Sequence, residues 1–433
     1  MMEKQTKIGT VCNDFDTFQL KSVLVKNDAG DWGSEPDDRA IGVIRSTNFN
    51  NNGKLDLSDI AHRTLSEKKF KEKKLFADDI LIERSGGSET QPVGRVGFVT
   101  EEMANTDYAF ANFIQRISLN DEINPKFVYF CLQQMYEMGV TAGMQSQTTG
   151  IRNLDWKQYV KVSLPQPSPD EQTAIANILS KVDEAIASVQ GSIAAAERLK
   201  KSLMQNLLTG RMKPDGTLRK EDEFYMDEKF GKVPMGWEVK RIDEIADFVQ
   251  YGLNQASSET GNIPMFRMNN IVNGEMQNYP LVYVNLNDTA LCQYKLEKGD
   301  ILFNRTNSMD LVGKVGIFKL EGDYVFASYL IRIRVSKDNN PYFFNYALNS
   351  YSIQCSLRSK ATPAVSQANI NSKSLRVTSI LIPTEKQEQD EIVSKIERIE
   401  LEISNKQQKI ATLERLKKSL MQNLLTGRVR VNH

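Results

Sequence analysis

The sequence predicts an α/β (α+β) protein in which two similar domains alternate with two long helices. The helices are expected to pack on each other as an antiparallel coiled coil, giving the chain pseudo-twofold symmetry. Three observations predict this. The stretch ERLKKSLMQNLLTGR occupies residues 197–211 and returns unchanged at 414–428, 217 positions on. An amphipathic run of helical period precedes each copy. The sequence before each run also matches its counterpart, block by block and in order. Self-similarity at a fixed offset identifies a duplicated architecture before any local reading begins.

The first α/β domain is assigned to residues 1–168. Within it, ADDILIERSG (77–86) and VGRVGFV (93–99) alternate like half-buried strands, and 108–117 reads as a third strand. Asn124-Pro125 is an N-cap followed by proline at the first helical position, so KFVYFCLQQM continues as a helix. Pro165, Pro167 and Pro169 then break the chain.

The first long helix is assigned to 169–212. Apolar residues fall at Ile175, Leu179, Val182, Ile186, Val189, Ile193, Ala196, Leu199, Leu203 and Leu207. Alternating steps of three and four are a coiled-coil seam. A run of about 38 residues spans about 57 Å as a helix. It closes on Leu-Leu-Thr-Gly, where Gly210 can supply a left-handed cap.

The second domain, 213–386, repeats the first. Trp237-Glu-Val-Lys parallels Phe18-Gln-Leu-Lys, IPMFRMNN (263–270) parallels IGVIRSTN (41–48), and KGDILFNRTN (298–307) parallels ADDILIERSG. VGKVGIF, YVFASYLIRI and Asn340-Pro341 continue the match. The second long helix, 387–433, carries Ile392, Ile396, Ile399, Ile403, Ile410, Leu413, Leu416, Leu420 and Leu424 on its seam.

Composition bounds the function. At 433 residues the chain is too long for one core. Its 40% hydrophobic and 25% charged residues are ordinary for a globular protein. Four scattered cysteines without a CxxC argue against zinc or a disulfide framework and suit a reducing cytoplasm. The N-terminus has no apolar signal region and no run approaches a membrane span, so no membrane partner is expected. Lys+Arg 55 balance Asp+Glu 55, which suggests modest nucleic-acid affinity for the chain alone.

Catalytic machinery is hard to assemble. With two histidines, His62 and His433, no nucleophile–histidine arrangement emerges. There is no GxxxxGK[ST] loop and no GxGxxG after a strand. The Asn340-Pro-Tyr-Phe stretch reads as a helix cap rather than a methyltransferase loop. No catalytic residue, no metal site and no cofactor are assigned to this chain.

Each copy does offer polar loops between strands. The nucleic-acid candidates are Arg45, Asn48, Arg84, Ser85, Arg95, Gln147, Thr148 and Arg152 in the first copy. Those in the second are Arg267, Asn270, Arg305, Asn307, Lys314, Gln367 and Asn369. Arginine pairs with guanine edges and asparagine or glutamine with adenine edges, while hydroxyls and lysines suit phosphates. The basic run Glu67-Lys-Lys-Phe-Lys-Glu-Lys-Lys is read first as a solvated helical face, with phosphate contact as the alternative. Framework letters match between copies where loop letters differ, so two frames could read two sequences.

The duplicated ERLKKSLMQNLLTGR, the paired Asp170-Glu-Gln and Gln387-Glu-Gln helix starts, Gly236-Trp-Glu-Val and the two DDIL/GDIL–Arg blocks carry a resemblance over essentially the whole chain. It resembles the specificity subunit of Type I restriction–modification enzymes. The resemblance implies two target recognition domains, each reading one half of a bipartite double-stranded DNA site, with the helices setting the gap. It implies two docked modification subunits that bind S-adenosylmethionine and methylate adenine, with ATP- and Mg-dependent translocating and nuclease subunits completing a phage-defence complex. Two copies of one partner need two equivalent surfaces on a single chain. Arg198, Lys201 and Gln205, with Arg415, Lys418 and Gln422, are the expected docking residues, and Leu199, Leu203 and Leu207 are expected to face inward. The alternatives are a scaffold that pairs two protein partners without reading DNA, and an enzyme acting alone on nucleic acid.

Overall fold

The computed structural model describes residues 4–88, 91–148, 151–363 and 367–431. The chain divides into two compact units, Met1–Gly191 with Gln408–His433, and Ser192–Gln407. The long helices run Pro169–Leu207 and Lys386–Leu424, each 39 residues. Each unit therefore owns the first part of one helix and the last part of the other.

In unit one, strands Leu24–Ala29, Ile114–Leu119, Ile80–Glu83 and Val96–Phe98 form an antiparallel sheet in that order. Tyr108–Phe110 pairs in parallel with Ile41–Ile44, which pairs with Ala61–Arg63. A third small sheet joins Gln145–Thr148, Ile151–Leu154 and Ser85–Gly87. Helix Pro125–Glu137 begins as the sequence predicts, with the Asn124 side chain accepting from the amides of Lys126 and Phe127. Its apolar residues enter one core with Ile175, Ala176 and Leu179 of the first long helix, Met421 and Leu424 of the second, and Leu425 just after it.

Unit two repeats the plan. Ala246–Tyr251, Leu330–Val335, Ile301–Asn304 and Val315–Ile317 are neighbours in its main sheet. Val325–Phe326 pairs in parallel with Ile263–Phe266. Thr306–Asn307 pairs with Ala368–Asn369. Asn340 caps helix Pro341–Leu348 as Asn124 caps its counterpart. Here Leu207 and Leu208 share a core with Ile392, Val393 and Ile396.

The helix segments run antiparallel within each unit. In unit one, Glu171 meets Arg430 and Asp183 meets Lys417. In unit two, Arg219 meets Glu388 and Lys200 meets Glu400. The glutamine of each helix start has the same task in both units. Gln172 accepts from the Asn124 amide at 2.9 Å and donates to the Pro167 carbonyl at 3.0 Å. Gln389 accepts from the Asn340 amide at 2.8 Å and donates to the Pro383 carbonyl at 3.0 Å. Both glutamines are buried, so one side chain ties the long helix to the capped helix and to the strand before it.

Gly210 and Gly427 adopt positive φ after the long helices, at +66° and +69°. A Cβ would fall 2.3 Å from Pro234 Cγ at the first and 2.4 Å from Cys12 Sγ at the second, so both conformation and space require glycine.

Two expectations need correction. The strand expected over 108–117 is broken in two, and so is the matching stretch 324–333. The pieces belong to different sheets, and the chain bends at Phe113 and at Tyr329. Leu199 does not face inward: it is 53% exposed, and its copy Leu416 is 46% exposed. The seam slips off the core there, while Leu207 remains fully buried and Leu203 packs at the core's edge. The basic run forms helix Glu67–Lys73, in which Lys69 pairs with Asp31 and Lys73 with Asp28, and Lys74, just after it, pairs with Asp107. This favours the solvated-face reading over phosphate contact.

Candidate nucleic-acid interface

The loop after strand Ile80–Glu83 is held from three sides. The Arg84 amide donates to the Phe113 carbonyl at 2.8 Å, and the Leu154 amide donates to the Arg84 carbonyl at 2.8 Å. The Ser85 hydroxyl donates to Asn153 Oδ1 at 2.6 Å, and the Ser46 hydroxyl donates to the Ser85 carbonyl at 3.1 Å. Arg84 Nη1 donates to Gln115 Oε1 at 2.9 Å, and its guanidinium lies 6.0 Å from the Trp156 ring. Arg45 is brought to the same place by its neighbour Ser46, and it ion-pairs with Asp59 at 2.8 Å. Arg152, half-buried on strand Ile151–Leu154, pairs with Gly87 in the ladder. Arg45, Arg84, Ser85 and Arg152 are thus brought together on one hydrogen-bonded surface. The side chains of Gln147 and Thr148 lie outside the described residues.

Unit two builds the matching surface. The Arg305 amide donates to the Tyr329 carbonyl at 3.0 Å, and the Ile370 amide donates to the Arg305 carbonyl at 2.9 Å. Asn369 Nδ2 donates to the Thr306 hydroxyl at 2.8 Å, and Arg305 Nη2 approaches Asn369 Oδ1 at 3.4 Å. The Arg305 guanidinium stacks 4.8 Å from the Tyr251 ring. Burial opposes ionisation of the Tyr251 hydroxyl. The Ser372 amide that donates to it and the Arg305 charge outweigh burial and hold it below its ordinary value. Asn307 reaches Met268 Sδ at 3.5 Å, which brings the Arg267 turn alongside, and Gln367 is exposed next to strand Ala368–Asn369. The supporting ring is Trp156 in one unit and Tyr251 in the other. They come from unrelated positions, so sequence matching could not pair them.

Four candidates leave this surface. Asn48 and Asn270 are 2% and 0% exposed. Each accepts the amide of the arginine three residues earlier and donates to two carbonyls, Asp56 and Asp59 for Asn48, Gln277 and Pro280 for Asn270. With every amide proton used, neither can read a base; they brace the loop. Arg95 is buried against Glu83 at 2.7 Å and donates to the Ser46 and Phe49 carbonyls. Lys314, its copy, is exposed but lines a cleft of about 300 Å³ with Lys200, Tyr346 and Glu400. Glu83 corresponds to Asn304, and a neutral partner leaves Lys314 nothing to pair with inside.

Arg198, Lys201, Gln205, Arg415, Lys418 and Gln422 are all exposed. Leu199 and Leu416 lie exposed among them, at equivalent positions. Among the described residues no group of three or more His, Cys, Asp or Glu side chains could hold a metal ion. Among them, too, no helix is long and apolar enough to cross a membrane.

Each of the two units thus carries an arginine, hydroxyl and asparagine surface on one duplicated frame. Comparison with known proteins specifies the family. The family model described as the Type I restriction modification DNA specificity domain matches twice, over residues 13–198 and 234–415. The EcoKI specificity subunit of Escherichia coli K12 is 24% identical, over 84% of this chain and 76% of its own length. The MjaIX specificity subunit of Methanocaldococcus jannaschii is 25% identical, over 99% and 96%. The crystal structure of a Type I restriction–modification S subunit from M. genitalium shares the fold at 15% identity with a TM-score of 0.55, over 98% and 99% of the two chains. The chain belongs to the Type I restriction modification DNA specificity family, and it is the specificity subunit of a Type I restriction–modification system.

Proposed function

We propose that each unit reads one half of a bipartite double-stranded DNA site through its arginine surface. Arg45, Arg84, Ser85 and Arg152 serve the first half, and Arg267, Arg305, Asn307, Gln367 and Asn369 the second. The observation that carries this reading is the repeated placement of an arginine on an aromatic ring, beside an asparagine tied to a hydroxyl. A fixed guanidinium fork can pair with a guanine edge, and a good pair contributes about 1–3 kcal/mol of discrimination. Rigid backbone bonds on both sides of Arg84 and Arg305 lower the entropy lost on binding.

Two modification subunits dock on the duplicated helix segments, through Arg198, Lys201 and Gln205 and through Arg415, Lys418 and Gln422. Methyl transfer from S-adenosylmethionine, and ATP- and Mg-dependent translocation and cleavage, belong to those partners. This chain supplies address rather than chemistry.

Methylation mapping in cells expressing this chain, with and without its modification subunit, tests the proposal. A bipartite methylated motif should appear only with both chains. A stable complex of the two chains that leaves no motif would favour the scaffold reading.

A further inference from the structure

We infer that Phe113 and Tyr329 are DNA-contacting side chains, each supplying the apolar contact of its own half-site beside the arginine. The inference rests on the DNA-recognition reading and extends it to residues that carry no hydrogen-bonding code.

Both residues sit where the expected strand bends. In each unit the bend is enclosed by buried side chains: Phe110 and Ile114 flank Phe113, and Phe326 and Leu330 flank Tyr329, all at 0% exposure. The ring between them is left outside, at 45% for Phe113 and 52% for Tyr329. An aromatic side chain in water beside a well-packed core forgoes the burial its neighbours obtain. One such ring needs no explanation. The same exposure at the equivalent place in both units does, because it persists although Asn112 next to the ring corresponds to Ser328, and Gln115 to Ile331.

The backbone says what the ring stands next to. The carbonyl of Phe113 accepts from the Arg84 amide, and that of Tyr329 accepts from the Arg305 amide. Arg305 Nη1 also approaches the carbonyl of Ser328, the residue before the ring, at 3.5 Å. Ring and guanidinium are therefore mounted on one hydrogen-bonded corner in each unit. Arginine and asparagine read hydrogen-bonding edges, but they cannot sense a thymine methyl or a base face. An adjacent ring can. Donors of positive charge beside it suit a polyanion rather than an apolar protein surface.

The test uses the full chain in complex with its modification subunit and duplexes carrying the mapped site, with either half scrambled in turn. Phe113→Ala should weaken binding about tenfold or more and remove the response to scrambling one half. Tyr329→Ala should do the same for the other half, and Tyr329→Phe should bind like the parent. Neither alanine variant loses a charge, so the salt dependence should hold. Unchanged melting temperatures would show that the fold is intact. Alanine variants that bind the site like the parent, or that lose the modification subunit instead of DNA, overturn the inference. A parent complex that binds every scrambled duplex equally overturns the DNA-recognition reading itself.

Discussion

Lys200 and Lys417 occupy the same place in two identical fifteen-residue stretches, yet they live in different surroundings. Lys417 is buried, 2.8 Å from Asp183 and 5.6 Å from the centre of the Phe130 ring. Lys200 pairs with Glu400 at 2.6 Å on the wall of an open cleft. The helix letters cannot explain this, because they are the same. The opposing domain does. Phe130 and Gln133 of unit one correspond to Tyr346 and Asn349 of unit two, and the Tyr346 hydroxyl takes Glu400 at 2.7 Å. A second exchange acts with it. Unit one buries the Glu83–Arg95 pair, whereas unit two has Asn304 and sends Lys314 into the cleft. The two units share a frame and differ in where their cations are kept.

Breaking the buried pair should have the largest effect. Arg95→Met leaves the fully buried Glu83 carboxyl without its partner and should cost unit one about 3–5 kcal/mol. Lys314→Met should change the stability of unit two by no more than about 0.5 kcal/mol. Urea unfolding followed by tryptophan fluorescence can separate the units, since Trp32 and Trp156 report on one and Trp237 on the other. Equal losses would show that the position, not its partner, sets the cost.

The glutamines sharpen the shared side of the comparison. Gln172→Ala and Gln389→Ala each strand a half-buried amide and a buried carbonyl. Each should cost about 2–3 kcal/mol, the same in both units. Unequal losses in the same unfolding experiment would mean that the helix starts are not equivalent.

Next comes the lysine pair itself. Lys417→Met should cost about 2 kcal/mol, because Asp183 is only partly reached by solvent, and Lys200→Met less than about 1 kcal/mol. The smallest stability change is expected on the exposed seam. Leu199→Ser and Leu416→Ser should stay within about 0.5 kcal/mol of the parent and yet weaken capture of the modification subunit, each at one of two sites. Titration by analytical ultracentrifugation would show the loss. Undiminished two-site capture would move the docking surface elsewhere.

Much of the frame was legible in the sequence. The Asn-Pro caps, the strands around Ile80 and Ile301, and the glycines after the long helices depend on neighbours close in the chain. Such neighbours leave local signatures. The site was only half legible. Arg84 and Arg305 stand out in the sequence because polar loops next to strands repeat. Asn48 and Asn270 were misread, since a polar letter in a loop does not say whether its amide faces solvent or the loop's own carbonyls. Phe113 and Tyr329 were absorbed into strands because an apolar alternation carries through the bend.

By itself the sequence determined the duplication, the two long helices and the family, because repeats and periodicities are properties of order along the chain. Tertiary structure alone decided that each helix is shared between two units, that Leu199 is exposed, and that Arg95 is buried while Lys314 is not. Those outcomes depend on what stands opposite a side chain after folding, and that neighbour is tens to hundreds of residues away in the sequence.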